Sequence, residues 1–80
     1  MSSSQCRGAR ALLDLTQPQL ADAADVGLST IVDFERERRI VSEEAIAKMQ
    51  AALEAAGVEF IDENGGGPGV RLRKPPKQKR

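Results

Sequence analysis

Eighty residues supply one domain, near the lower limit at which a single core folds without disulfides or metals. One cysteine (Cys6) and no histidine, tyrosine or tryptophan leave no internal disulfide, no ordinary zinc ligand set and no usual general base, so catalysis and a metal or cofactor site are not expected. The net charge of zero hides an asymmetry, because residues 1–64 hold all twelve acids against six bases (net −6) and residues 65–80 hold six bases and no acid (net +6).

From about Ser4 to Asp14, Cys6, Ala9, Leu12 and Leu13 recur at helical spacing and predict a first helix. After a break at Leu15-Thr16, Thr16 reads as the cap of a short second helix, about Gln17 to Ala24. Gln19 completes a capping box, and Pro18 sits in the first turn where its missing N–H costs nothing. Leu20, Ala21 and Ala24 are its inward face. Asp25-Val26-Gly27 is a tight turn around one apolar residue. A third helix then runs from about Leu28 to Glu37, burying Ile31 and Phe34.

Arg36 to Ile40 is a charged connection. Ser42 caps a fourth helix whose first turn carries Glu43 and Glu44, where the helix dipole favours acids. Val41 and Ile46 stand at the positions of a hydrophobic staple, Met49 and Leu53 continue the apolar face, and Gly57 stops the helix. Val58–Ile61 and Val70–Arg73 are strand-forming runs separated by the turn-rich segment 62–69, which predicts an antiparallel hairpin laid over the fourth helix. The domain map is therefore a helical body over 4–57, a hairpin extension over 58–73 and a disordered basic tail over 74–80. No apolar run approaches the roughly 18 residues of a membrane span, and the Met1-Ser-Ser-Ser start has no signal-peptide core, so a cytoplasmic protein is expected.

The functional signal lies in the two short helices around Asp25-Val26-Gly27. A small residue for close approach (Ala21), an inward apolar turn residue (Val26) and an apolar pair on the following helix (Ile31, Phe34) are the parts of a helix-turn-helix. That motif presents the N-terminal half of its second helix to the DNA major groove.

The stretch Arg10-Ala-Leu-Leu-Asp-Leu-Thr-Gln-Pro-Gln-Leu-Ala-Asp-Ala-Ala-Asp-Val-Gly-Leu-Ser-Thr-Ile-Val-Asp-Phe-Glu-Arg36 resembles the phage repressor/Cro, or Xre-type, helix-turn-helix family. The ending from Gly57 through Leu72 is similar to a subgroup of small bacterial members that replace the fifth helix with a Gly-rich hairpin. The resemblance implies a mostly α, lambda-repressor-like four-helix fold and a DNA-binding transcriptional regulator acting as a homodimer. Carried over by position, Gln17 would bond a phosphate or an end base, and Arg36, Arg38 and Arg39 beyond the recognition helix would bond phosphates. Gly27 opens that helix, and Leu28, Ser29, Thr30 and Asp33 would face the groove. Arg10 and Glu35 match a structural ion pair. The groove residues include none of the Arg, Gln, Asn or Lys that read bases in bidentate fashion, so base readout is expected to be thin.

Double-stranded DNA is the expected partner, with localisation at the nucleoid. A homodimer is expected because paired half-sites supply the specificity that one thin interface lacks, and Leu53, Val58 and Phe60 are the candidate anchors. The alternative is a protein-binding helix-turn-helix with a regulatory protein partner, acting as an antiactivator, antitoxin-like partner or adaptor. It draws on the acidic body and on Asp33 at the groove face.

Overall fold

In the computed structural model, which describes residues 1–61 and 66–73, the elements run α1 (Ser3–Leu13), α2 (Gln17–Ala24), α3 (Leu28–Arg36), α4 (Glu43–Ala55), β1 (Val58–Ile61) and β2 (Gly69–Leu72). Residues 62–65 of the expected loop and the whole expected tail, 74–80, lie outside the described residues. The fold is mostly helical with a short antiparallel hairpin, as expected from the sequence.

Capping chemistry sets the helix starts. The Thr16 hydroxyl accepts the Gln19 N–H at 3.1 Å while the Gln19 side chain accepts the Thr16 N–H at 2.9 Å. The same reciprocal box opens α1, where Ser2 and Gln5 exchange bonds of 3.1 and 2.9 Å, one residue earlier than the apolar spacing suggested. Ser42 caps α4 through the Ala45 N–H. Val41 is buried and Ile46 half-buried at the staple positions.

Three helix ends share one geometry. Asp14, Asp25 and Glu37 each adopt the left-handed conformation, with φ of 59°, 59° and 56°. In each case the next N–H reaches back five residues, Leu15 to Arg10, Val26 to Ala21 and Arg38 to Asp33, at 2.9–3.0 Å. This satisfies orphan carbonyls at the helix ends and reverses the chain sharply. α4 ends differently: Ala56 stays right-handed, and Gly57, at φ 117°, donates its N–H to Glu54 O at 3.0 Å.

The core joins the four helices and β1 through Cys6 and Ala9 of α1, Leu20, Ala21 and Ala24 of α2, Ile31 of α3, Met49 and Leu53 of α4 and Val58 of β1, and Val70 of β2 packs against it. Leu12, expected on the inward face of α1, is 42% exposed; Cys6, Ala9 and Leu13 form that face instead. The hairpin register pairs Val58 with Leu72 and Phe60 with Val70, of which Val58, Phe60 and Val70 meet the core while Leu72 is 51% exposed; Glu59 and Arg71, on the other face, join in an ion pair of 2.8 Å.

The hairpin does not rest on α4 alone. β1 packs on α4, but β2 lies mainly along α1. Gly8 permits this approach: a Cβ there would stand 3.2 Å from a Val70 methyl. Gln5 completes the dock, its amide donating to Ile61 O at 3.3 Å and Gly69 O at 3.0 Å across the hairpin's mouth. Gln5→Ala removes both this clasp and half of the α1 capping box, and is expected to cost about 1–3 kcal/mol, the penalty for buried polar groups left unpaired. Hydrogen exchange should accelerate selectively at the hairpin and the α1 start while α2 and α3 keep their protection; a uniform increase would contradict a local clasp.

Candidate nucleic-acid interface

The geometry of the α2–α3 corner follows from small residues and one left-handed turn. Ala21 and Ala24 are nearly fully buried, and without bulk on that face α2 lies close against its neighbours. Asp25 reverses the chain, Val26 turns its side chain onto the core, and Gly27 starts α3. Gly27 supplies no side-chain cap, so the first N–H groups of α3 are left open to solvent or ligand.

On the outer side of α3, Leu28 is 46% exposed, Ser29 is exposed, and Thr30 and Asp33 are half-buried. Ile31 and Glu35 face inward and hold the helix. Arg36, the last residue of α3, and Arg38 and Arg39 just beyond it are all exposed. Two of the sequence-named residues meet there: Arg39 Nε donates to Asp33 Oδ2 at 2.8 Å.

Beneath this surface, Glu35 ties three helices together. Its carboxylate receives Arg10 Nε at 2.7 Å and Nη2 at 2.8 Å, a bidentate pair between α1 and α3. Gln17, at the start of α2, donates to Oε1 at 3.0 Å, and the Cys6 thiol donates to Oε2 at 3.2 Å. Arg10 also bonds Leu15 O at 2.9 Å, and Arg7 reaches Glu35 O. Burial raises the Glu35 pKa, but hydrogen bonds from Arg10, Gln17 and Cys6, with the Arg10 charge, outweigh it and hold the carboxyl below its ordinary value. The Cys6 thiol is pushed up to about 12, first by burial and then by the Glu35 carboxylate, so it serves as a donor and not as a reactive thiolate.

Several sequence-based placements change. Gln17, expected to bond a phosphate or an end base, directs its amide nitrogen inward to Glu35 in the free chain. Leu53 and Val58, expected as dimer anchors, are fully buried in the core of a single chain, and Phe60 is half-buried against that core. In this chain Leu53 and Val58 are core residues. Among the large apolar side chains of the described residues, Ile40 is the most open, at 95% exposure.

The sequence reading also missed the Glu35 bonds from Gln17 and Cys6. Cys6 and Arg10 are four residues apart on α1, a spacing that places them on one helix face, so the partnership was open to inspection. No helix of the described residues is long and apolar enough to cross a membrane. A family model described as Helix-turn-helix matches residues 7–60 of the chain. No curated protein matches it.

Proposed function

The chain belongs to the helix-turn-helix family of Xre/lambda-repressor type, a family of DNA-binding regulators, and on that premise we propose that it is a homodimeric, sequence-specific transcriptional regulator acting at the nucleoid. The observation that carries this reading is the outer face of α3, where Leu28 and Ser29 are exposed at its N-terminal end and Arg36, Arg38 and Arg39 are exposed at and just past its C-terminal end. A recognition helix needs both: side chains that reach base edges, and cations that hold the phosphates on either side.

Leu28 would pack on a thymine methyl, Ser29 and Thr30 would bond base edges, and Arg36 and Arg38 would neutralise phosphates. The open N–H groups after Gly27 suit a phosphate at the start of α3. Dimerisation is proposed from operator logic, since two half-sites about one helical turn apart multiply a modest single-site preference. A protein-binding role is the competing reading, favoured by the net −6 of residues 1–64 and by the exposed side chain of Ile40.

The test is a titration of the chain into duplexes from the DNA upstream of its own gene and into scrambled duplexes, over a salt series. The expected result is preference for the native duplex, with log K falling linearly as log salt rises. Arg38→Ala should weaken binding to every duplex alike and lower the salt slope by about 1. Equal, weak binding to all duplexes, abolished by deleting residues 74–80, would instead favour the protein-binding role.

A further inference from the structure

We propose that Asp33 and Arg39 act as one composite base reader, in which Asp33 holds the Arg39 guanidinium so that it donates to O6 and N7 of a guanine in the major groove. The proposal rests on the DNA-binding reading above and gives that surface the bidentate reader its recognition helix otherwise lacks.

The arrangement is built by the end of α3. Glu37 turns left-handed at φ 56°, and the Arg38 N–H closes back on Asp33 O at 2.9 Å. The Ser3 hydroxyl fixes the same corner by donating to Glu37 Oε2 at 2.7 Å. The chain therefore folds back on α3 and returns Arg39 to the side of Asp33. There Nε and Oδ2 meet at 2.8 Å, with the arginine side chain 51% and the aspartate 22% exposed.

This bond uses one of the five guanidinium donors. The other four sit on Nη1 and Nη2 and have no hydrogen-bond partner among the described residues. Two parallel N–H groups at the tip of a guanidinium match the O6 and N7 acceptors of guanine. Asp33 Oδ2 is occupied, and its second oxygen stays available to a cytosine amino group.

Charge separates this role from a phosphate clamp. A lone Asp33 carboxylate on the groove face would be repelled by the DNA; paired with Arg39 it becomes an orienting group. By the same neutralisation Arg39 gains less from a phosphate than Arg36 or Arg38, because binding through counterion release scales with net positive charge. Orientation, which a phosphate contact hardly needs, is what a base contact requires.

The experiment selects preferred duplexes from a randomised pool with the full chain, then measures affinity with each base pair, and with 7-deazaguanine, at every site position. The expected result is one position per half-site where guanine is favoured by roughly 5- to 150-fold, the range for a bidentate pair, with most of the preference lost on 7-deazaguanine. Arg39→Ala should flatten that position and leave the others unchanged. Asp33→Ala should relax the same position while retaining the cation, and the salt slope should rise. Neither residue belongs to the core, Arg39 being exposed and Asp33 half-buried, and a thermal melt of each variant should stay close to the parent's.

A uniform loss over all positions with a lower salt slope on Arg39→Ala would make Arg39 a phosphate contact and overturn the proposal. So would an unchanged preference in both variants. If the parent chain shows no base preference anywhere, the specific DNA-binding reading itself fails, and the composite reader with it.

Discussion

Glu35→Ala is expected to lower the unfolding free energy by about 3–5 kcal/mol, the cost of breaking a buried ion pair from one side. The Glu35 side chain is 2% exposed and its Arg10 partner 20%. Removal of the carboxylate strands the Arg10 guanidinium in a half-buried site and leaves the Gln17 amide and Cys6 thiol without their shared acceptor. A domain of this size shifts its melting midpoint about 4–8 °C per kcal/mol, so thermal unfolding should show a fall of at least about 12 °C. The double replacement Arg10→Met with Glu35→Leu should recover part of the loss, since it leaves no stranded guanidinium, although the Gln17 amide and Cys6 thiol still lack their acceptor. A Glu35→Ala variant as stable as the parent would show that the pair holds nothing together.

The same carboxylate sets an acid limit. Its pKa is lowered in the folded chain, so the folded state binds fewer protons there than the unfolded state. The stability it contributes is present above the ordinary glutamate value of about 4.3 and is lost as pH falls through the lower folded value. Denaturant titrations from pH 7 downward should therefore show a steeper acid loss in the parent than in the Arg10→Met, Glu35→Leu double variant.

Local chemistry carried much of this fold into view before any coordinates. Thr16-Gln-Pro-Gln19 and Ser42-Glu-Glu are cap signals whose meaning depends only on neighbours three residues away, and both helices start where those signals put them. The Ser2-Ser-Ser-Gln5 box is an equally local signal, but it lies ahead of the apolar spacing, which begins only at Cys6. Three helix ends were harder, since glycine is the usual residue in a left-handed turn and this chain uses Asp14, Asp25 and Glu37. The Arg10–Glu35 partnership came from family resemblance, and nothing in the spacing of the two residues would have disclosed it. Contacts between distant segments were beyond reach: whether Gln17 turns toward solvent or toward Glu35 depends on where α3 places that carboxylate. Asp33 and Arg39 lie across a left-handed turn, where helical spacing no longer says which residues meet. The choice of α1 beside α4 as the hairpin's support depends on Gly8 and Gln5, whose role is apparent only once β2 lies against them.

Leu53 shows the most consequential of these limits, and its replacement is the second large effect. On α4 it continues the apolar spacing of Ile46 and Met49, a pattern that fits a dimer seam and a monomer core equally well. In the fold it is fully buried with Leu20, Ile31, Met49 and Val58. Leu53→Ala should therefore cost about 2–5 kcal/mol, the transfer term plus the cavity left among neighbours that relax only in part. The sign alone does not separate core from interface, but concentration does. Loss of an interface anchor shifts stability by mass action, so its penalty would change with protein concentration. Loss of a core residue gives the same penalty in dilute and concentrated samples. Denaturant unfolding of parent and Leu53→Ala over a hundredfold range of concentration, with sedimentation of the folded fraction, reads both quantities at once. A constant penalty with unaltered self-association of the folded chains is expected; a penalty that varies with concentration would return Leu53 to the subunit interface.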